Sequence, residues 1–538
     1  MADGFWPPSQ KVEIKLDFSL ITEAWLPVRR NSGFCWIRPS QIVESLDTDP
    51  VMEICWPRAD LTLATKEFLI GLLAVACPPT GRNDWHQRNN SPPDLATLDA
   101  AFAPFKDVFN LDSFMQDFEP LPGEANDVAT LLIESPGEQS IKKNTDLFNK
   151  RGKVQSLSRA AAAIVLYTLQ AYAPAGGAGN RTGLRGGGPL TTLVIPPGQP
   201  TLWHSLWVNV PTGEAAPKAD WPHIFPWLTK TITSENKRTV SPKTDNDLLV
   251  FWGTPRRIRL VFEKNKDNKP CDLTDQTDEV IVTGWVQRPN GANYNSESFE
   301  HPLTPRYKPK PKEPVSLPVH PQPAGIGYRD LLGILFVSED GASIPAAAIS
   351  TYVSNRLPSL NAKWRILAAG YDMDNMKARG FVEAELPTFG GGEAPDRVKA
   401  ITHLILGAET IEGILRTAVR MALLPDGAKP DANAGLLGTL RARFWAESEG
   451  AFYKASEQIA NGEEQDKAVR GFLNSLHNLC AKLFDENAPI VSSDHPERVA
   501  KGAGFLMSAL KGYGKSGKSL FTVLNLELPV QPKKGKVT

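Results

Sequence analysis

Cysteine is scarce and scattered. The five, Cys35, Cys55, Cys77, Cys271 and Cys480, include no CxxC pair. That argues against a disulfide framework and a cysteine-based zinc site, and for a reducing compartment. Long apolar runs are missing too. The longest candidate, Leu61 to Cys77, carries Lys66 and Glu67 and is too short to cross a bilayer. The opening MADGFWPPSQKVEIKLDF has no apolar core of signal-peptide length. The expectation is a cytoplasmic protein with no membrane partner. The eight histidines show no HExxH or other ligand spacing, so no metal is expected. With no Gly-x-Ser-x-Gly elbow and no paired carboxylates, nothing argues for catalysis or a cofactor. Charge of one sign is also lacking. The formal net charge is -1, so any nucleic-acid contact must come from local basic patches.

What the chain concentrates is glycine. The stretch Ala171 to Val194 reads AYAPAGGAGNRTGLRGGGPLTTLV, with Gly176, Gly177 and Gly179 in one cluster and Gly183, Gly186, Gly187 and Gly188 in a second. Glycines at this density allow positive φ and close backbone approach to a ligand. Arg181 and Arg185 add planar forks that suit phosphate. A long flexible turn between a helix and a strand is the other reading that composition leaves open.

At 538 residues the chain should hold more than one domain. Short strands are expected from Phe18 to Ile37, broken at Pro27 and near Gly33. Asp60 reads as the N-cap of a buried helix through Ala76, followed by a polar loop from Thr80 to Asp94 and a helix from Leu95 to Phe105. Ser156 or Ser158 caps a helix through Ala171, which delivers the chain into the glycine stretch and a strand at Leu190 to Ile195. Between Pro196 and Val282 one strand is clear, Ile258 to Phe262; Trp203, Trp207, Trp221 and Trp227 suit the core better than base stacking. A helix is expected over Tyr328 to Phe336.

Gly390-Gly391-Gly392 and the acidic, proline-containing residues after them mark a boundary. Beyond it, four helical segments with apolar positions at three and four predict a bundle: Val398 to Leu415 and on to Pro425, Leu436 to Ala460, Glu464 to Phe484 and Glu497 to Tyr513. The fold class is therefore α+β over 1–388, with a four-helix bundle over 389–538.

Two segments are basic. Residues 139–153 carry Lys142, Lys143, Lys150, Arg151 and Lys153 around Phe148 and Asn149 without periodicity. Such a loop is either a solvated charge run or a contact for a nucleic-acid backbone with a splayed base. Residues 301–324 are proline-rich, with Arg306, Lys308, Lys310 and Lys312. They form an extended spacer or a basic arm. One motif is a decoy. Gly512 to Ser519 fits G-x-x-x-x-G-K-[ST], yet a helix precedes it, and the residues after Ser519 look extended, with no room for a Walker B strand. Nucleotide hydrolysis is rejected.

Several stretches, in order, resemble the CasA family, whose members are the large subunit of the type I-E CRISPR surveillance complex Cascade. They are Ala24-Trp25-Leu26-Pro27-Val28, Phe114-Met115-Gln116, Asn126 to Val128, Gly183-Leu184-Arg185-Gly186-Gly187 with Pro189, Thr191 and Thr192, Gly370-Tyr371, and Leu476-His477 through Ala488-Pro489. Some relatives carry a cysteine cluster where this chain has only Cys271, so no zinc is inferred.

The resemblance implies a non-catalytic subunit that reads the protospacer-adjacent motif (PAM) of double-stranded DNA, promotes strand separation and R-loop formation, and recruits a helicase-nuclease. Its partners would be the guide RNA, the target duplex and the other Cascade subunits. A glycine loop maps onto Pro174, Ala175, Gly176, Gly177, Ala178 and Gly179, where small residues let backbone meet minor-groove base edges. A lysine finger maps onto Gln287 to Gly291, but Asn290 stands at the lysine's place. Either Arg288 substitutes as the cation or a different PAM is read. A glutamine wedge maps onto Asp374, Asn375 and Met376; a plain polar hairpin is the alternative there. Phe148, Asn149, Lys150 and Arg151 map onto a loop that fixes the subunit near the 5′ handle of the guide RNA. The competing classes are a P-loop nucleotidase, which would turn over ATP, and a scaffold that binds no DNA.

Overall fold

A computed structural model describes residues 17–144, 146, 151–177, 179–243, 247–322, 325–338, 341–357, 363–374, 377–389, 395–425, 427–429 and 434–529. The first sheet pairs β1 (Leu26–Arg30) with β2 (Gly33–Ile37) and β3 (Val51–Ile54), antiparallel, in the order β2-β1-β3. Pro27 lies inside β1 and does not break it. It sits near the strand's start, where a missing N–H is tolerated, and its carbonyl accepts from Cys55 N at 2.8 Å.

Helix α1 (Ala59–Ala76) is buried along nearly its whole length, as its apolar sequence demands. Asp60 is not the N-cap; Arg58 holds that position. Asp60 is buried in the first turn, where it accepts from Arg58 Nη2 at 2.9 Å and from the Tyr371 hydroxyl. A carboxylate there also complements the helix dipole. Phe68 of α1 centres the core. Trp25, Phe109, Phe114, Tyr167 and Trp252 meet it edge-on at 5.3 to 5.9 Å.

Residues expected as a polar loop contain helix α2 (Arg82–Asn90), whose one buried side chain is Trp85. Trp85 and Trp207 exchange indole-to-carbonyl hydrogen bonds, each 3.1 Å, and this tertiary contact holds a helix with no apolar stripe. Helix α3 (Leu95–Phe102) is capped by Asp94 and runs on as a 3-10 turn to Phe105. Helix α4 (Arg159–Tyr172) is capped by Ser158, whose Oγ accepts from Ala161 N.

Strand β4 (Thr191–Ile195) follows the glycine stretch. Two long strands come next, β5 (Arg257–Lys264) and β6 (Val280–Arg288), paired antiparallel. The first contains the strand expected at Ile258 to Phe262; the second is an addition to that reading. Strands β7 (Arg365–Asp374) and β8 (Lys377–Pro387) form a hairpin, and β7 also pairs with β4. The helix expected over Tyr328 to Phe336 is broken. A 3-10 turn, Tyr328–Asp330, leads into residues where Leu332 and Gly333 leave helical geometry. Trp203, Trp207, Trp221 and Trp227 are all buried.

The last part is helical: α5 (Pro395–Leu423), α6 (Ala434–Ala460), α7 (Gln465–Asn487), α8 (Pro496–Leu510) and α9 (Gly514–Val523). Four long helices match the expected bundle, and α9 is an addition. It also corrects the reading of the residues after Ser519 as extended. The P-loop-like letters themselves lie in this helix and the turn before it. Gly517 packs on the backbone of Gly512 and Ala509, where a methyl group would sit 2.6 and 2.7 Å away, so the segment forms no phosphate cradle. Tyr328 ties the helices to the rest: its hydroxyl bonds Ser448 Oγ at 2.7 Å and its ring stacks on Phe452 at 4.3 Å. Among the described residues no helix is long and apolar enough to cross a membrane.

Candidate nucleic-acid interface

Helix α4 ends at Tyr172, and the chain turns outward at Pro174. The loop closes on itself through Gly176 N to Asn180 O (3.1 Å) and Asn180 N to Gly177 O (3.3 Å). Its glycines have different jobs. Gly179 has φ +74°, and a methyl there would lie 2.7 Å from Asn290 Oδ1 and 2.9 Å from Asn290 N. Gly177 is exposed with nothing within 4 Å of such a methyl. Gly179 is thus required by packing, whereas Gly177 presents bare backbone to solvent. Ala178 lies outside the described residues.

The Gly179 contact brings the loop against the turn Pro289-Asn290-Gly291. Asn290 adopts φ +60°, a left-handed position that Asn tolerates. Ser234 N bonds the carbonyls of Asn290 (3.1 Å) and Gly291 (3.2 Å), and Arg181 Nε donates to Ser234 Oγ at 3.2 Å. Arg288 ends β6 with its guanidinium near Gly123.

The second glycine cluster is structural. A methyl at Gly187 would come 2.8 Å from Pro174 Cα. At Gly188 (φ +63°) it would come 2.5 Å from Tyr371 O and 2.7 Å from Met373 Cγ. These two positions mount the loop and the β7–β8 hairpin on one another. A cleft of about 450 Å³ opens between them, lined by Pro174, Ala175, His320, Gln322, Met373 and Arg379. The hairpin pairs as far as Asp374 with Lys377; Asn375 and Met376 lie outside the described residues. Arg379 bonds Asp372 at 2.7 and 3.0 Å and approaches Asp374 at 3.6 Å, so acidic residues offset the cation there.

Arg185 corrects an expectation. Its guanidinium is buried and paired with Glu67 of α1 at 2.6 Å, so it is not available to phosphate. Tyr172 Oη donates to Glu67 Oε2 at 2.7 Å, and Arg185 Nη1 donates to Thr191 Oγ1 (3.1 Å) and Thr304 Oγ1 (3.2 Å). Burial opposes ionisation of Glu67, but Arg185, His301 and the Tyr172 hydroxyl hold its carboxyl at about 2. Burial and the Arg185 charge push the His301 ring down to about 4, so it is neutral at pH 7. Glu67 lies 118 residues from Arg185, and no local pattern in the sequence signals the pairing.

The segment read as a basic loop without periodicity begins in a short helix, Glu138–Lys142. Arg151 is engaged within it by Asp146 (2.6 and 2.7 Å), Ile141 O and Asn144 Oδ1. Phe148, Asn149 and Lys150 lie outside the described residues. Arg306 of the proline-rich segment is buried, with its guanidinium wrapped by carbonyls and the Ser316 hydroxyl, which rules it out as part of a basic arm. Among the described residues the five cysteines are free and no cluster of His, Cys, Asp or Glu could hold a metal.

The fold is shared with several solved structures. A CRISPR-associated protein from Thermus thermophilus superposes with a TM-score of 0.70 at 17% identity, over 93% of this chain and 100% of its own. The Thermus thermophilus protein named CasA (Cse1) gives 0.67 at 16% identity, covering 95% and 99%. A chain of a CRISPR RNA-guided surveillance complex gives 0.65 at 17% identity, covering 92% and 99%. The family model for CRISPR-associated protein Cse1 matches residues 19–483, and the chain belongs to that family.

Proposed function

We propose that this chain is the large, non-catalytic subunit of a CRISPR RNA-guided surveillance complex, reading the PAM of duplex DNA and starting its opening. The observation that carries this reading is the convergence of three separated segments. The turn 289–291 meets the loop 174–179 at Gly179–Asn290, and the β7–β8 hairpin meets the adjoining second glycine cluster at Gly188–Met373, where Gly187 packs on Pro174 of the loop. A backbone-rich loop suits the minor groove, whose degenerate code tolerates several flanking sequences. Binding of the assembled complex to target duplexes with randomised flanking bases tests it. Enrichment of particular bases next to the target is expected, and flank-independent binding would sink the reading.

In the same reading, residues 1–388 form the DNA-reading and guide-docking domain and 389–538 the helical bundle. Phe148, Asn149, Lys150 and Arg151 dock the subunit on the guide-RNA complex beside the other Cascade subunits, in the cytoplasm. A helicase-nuclease joins once the R-loop forms. The hairpin tip Asp374-Asn375-Met376 separates the strands. Unstacking costs a few kcal/mol per step, so something must be inserted. Asn375→Ala with Met376→Ala should slow R-loop formation on paired DNA, yet bind a target pre-opened beside the PAM almost normally. Equal defects on both substrates would make the tip an affinity contact only.

A further inference from the structure

We propose that Arg256 is a DNA-contacting cation of this interface, its guanidinium meeting a phosphodiester of the duplex where the glycine loop and the turn 289–291 converge. The inference rests on the PAM-reading assignment and adds a residue to it. Arg256 is locked in place by its backbone: its N–H donates to Gln170 Oε1 at 3.0 Å, and Gln170 Nε2 donates to its carbonyl at 2.9 Å. Its side chain reaches the root of the loop, where Nη2 donates to the Pro174 carbonyl. On the other side, a methyl at Gly291 would lie 3.1 Å from Arg256 Cα. The residue therefore stands between the two elements, and the turn Pro289-Asn290-Gly291 has no cation of its own.

The guanidinium is short of partners. Nε is buried with no acceptor, and no carboxylate among the described residues pairs with it. Other buried or half-buried arginines have more acceptors; even Arg356, also with no carboxylate partner among the described residues, donates to both Val208 O and Thr212 Oγ1. Arg58, Arg159, Arg185 and Arg257 each hold a carboxylate, and Arg306 has five acceptor contacts. A clamp on one carbonyl uses one of five N–H donors. Burial pushes the group down to about 10, so it still carries its charge at neutral pH. A largely desolvated cation without a counter-ion is costly, and an incoming anion offsets that cost. A phosphodiester fits because the neighbouring exposed residues are small, Ala175 with only a methyl group and Gly177 with none, so a polymer can lie over them. The planar fork then makes charge-assisted hydrogen bonds to its oxygens.

The test uses the assembled, guide-loaded complex and a target duplex, with affinity measured as salt is raised from about 50 to 200 mM. Arg256→Gln should bind roughly tenfold more weakly at low salt. Its slope of log affinity against log salt should be shallower by about one. Arg256→Lys should keep the wild-type slope. An unchanged slope in Arg256→Gln would make the residue a clamp on Pro174 and overturn the proposal. A second measurement needs no variant that could misfold. Neutral methylphosphonate linkages are placed singly beside the PAM, and one of them should weaken the wild-type complex by a similar factor; if none does, the proposal fails. Gly177→Asp is run in parallel. If it leaves binding intact, the interface itself is misassigned; if it abolishes binding while Arg256→Gln keeps the full slope, only Arg256 is.

Discussion

Gly177→Asp should leave the protein folded and assembled, yet abolish its PAM-dependent DNA binding. The folded state accepts the new side chain because the position is exposed and open for 4 Å around a β-carbon. A duplex docked on the loop would not accept it. A carboxylate facing phosphates is a like-charge contact costing several kcal/mol, on the order of a hundredfold or more in affinity. The comparison with Gly179 separates mechanism from packing. Any side chain there meets Asn290 within 3 Å, so Gly179→Asp should damage the structure as well. Wild-type target affinity in assembled Gly177→Asp complexes would remove the loop from the DNA surface.

Glu67→Ala should be among the most damaging single substitutions in the chain. It leaves Arg185 buried without its carboxylate, and breaking a buried pair from one side costs about 3–5 kcal/mol. The Tyr172 and Tyr167 hydroxyls lose an acceptor in the same step. The expected readout is a clearly lowered thermal unfolding midpoint and weaker DNA binding, because Arg185 anchors the second glycine cluster on which the loop is mounted. Glu67→Leu combined with Arg185→Met should recover much of the stability, since an apolar replacement leaves no orphaned charge. Additive losses in that double variant would mean the two side chains are not coupled.

The parts of this molecule governed by local periodicity are legible in its sequence. The bundle helices and the Ser158-capped helix follow from apolar spacing and one capping residue. Helix α2 is not legible, because its sequence RNDWHQRNN has a single apolar side chain and owes its form to Trp207, far along the chain. The long hairpin is legible only in part: its turn reads as a polar hairpin and KARGFVEAELP alternates except at Phe381-Val382, but Leu386 is the one buried residue of β8, so no buried apolar face marks its length. At the interface, the glycine loop is evident from composition, but the roles of individual glycines depend on which backbone passes nearby. The same limit explains Arg185. Beside glycines an arginine reads as a phosphate ligand until a buried glutamate from another helix is found against it. What distinguishes Arg256 is a missing partner, and an absence of that kind has no sequence signature.

The sealed aromatic core also makes the protein's own fluorescence selective in what it can report. Trp25, Trp203, Trp207 and Trp252 are fully buried, and Phe68 packs against two of these positions through Trp25 and Trp252. Their emission therefore tracks the integrity of the interior and is insulated from events at the exposed glycine loop. Unfolding will register in these four as a large red shift, whereas contact at the loop leaves their emission nearly unchanged.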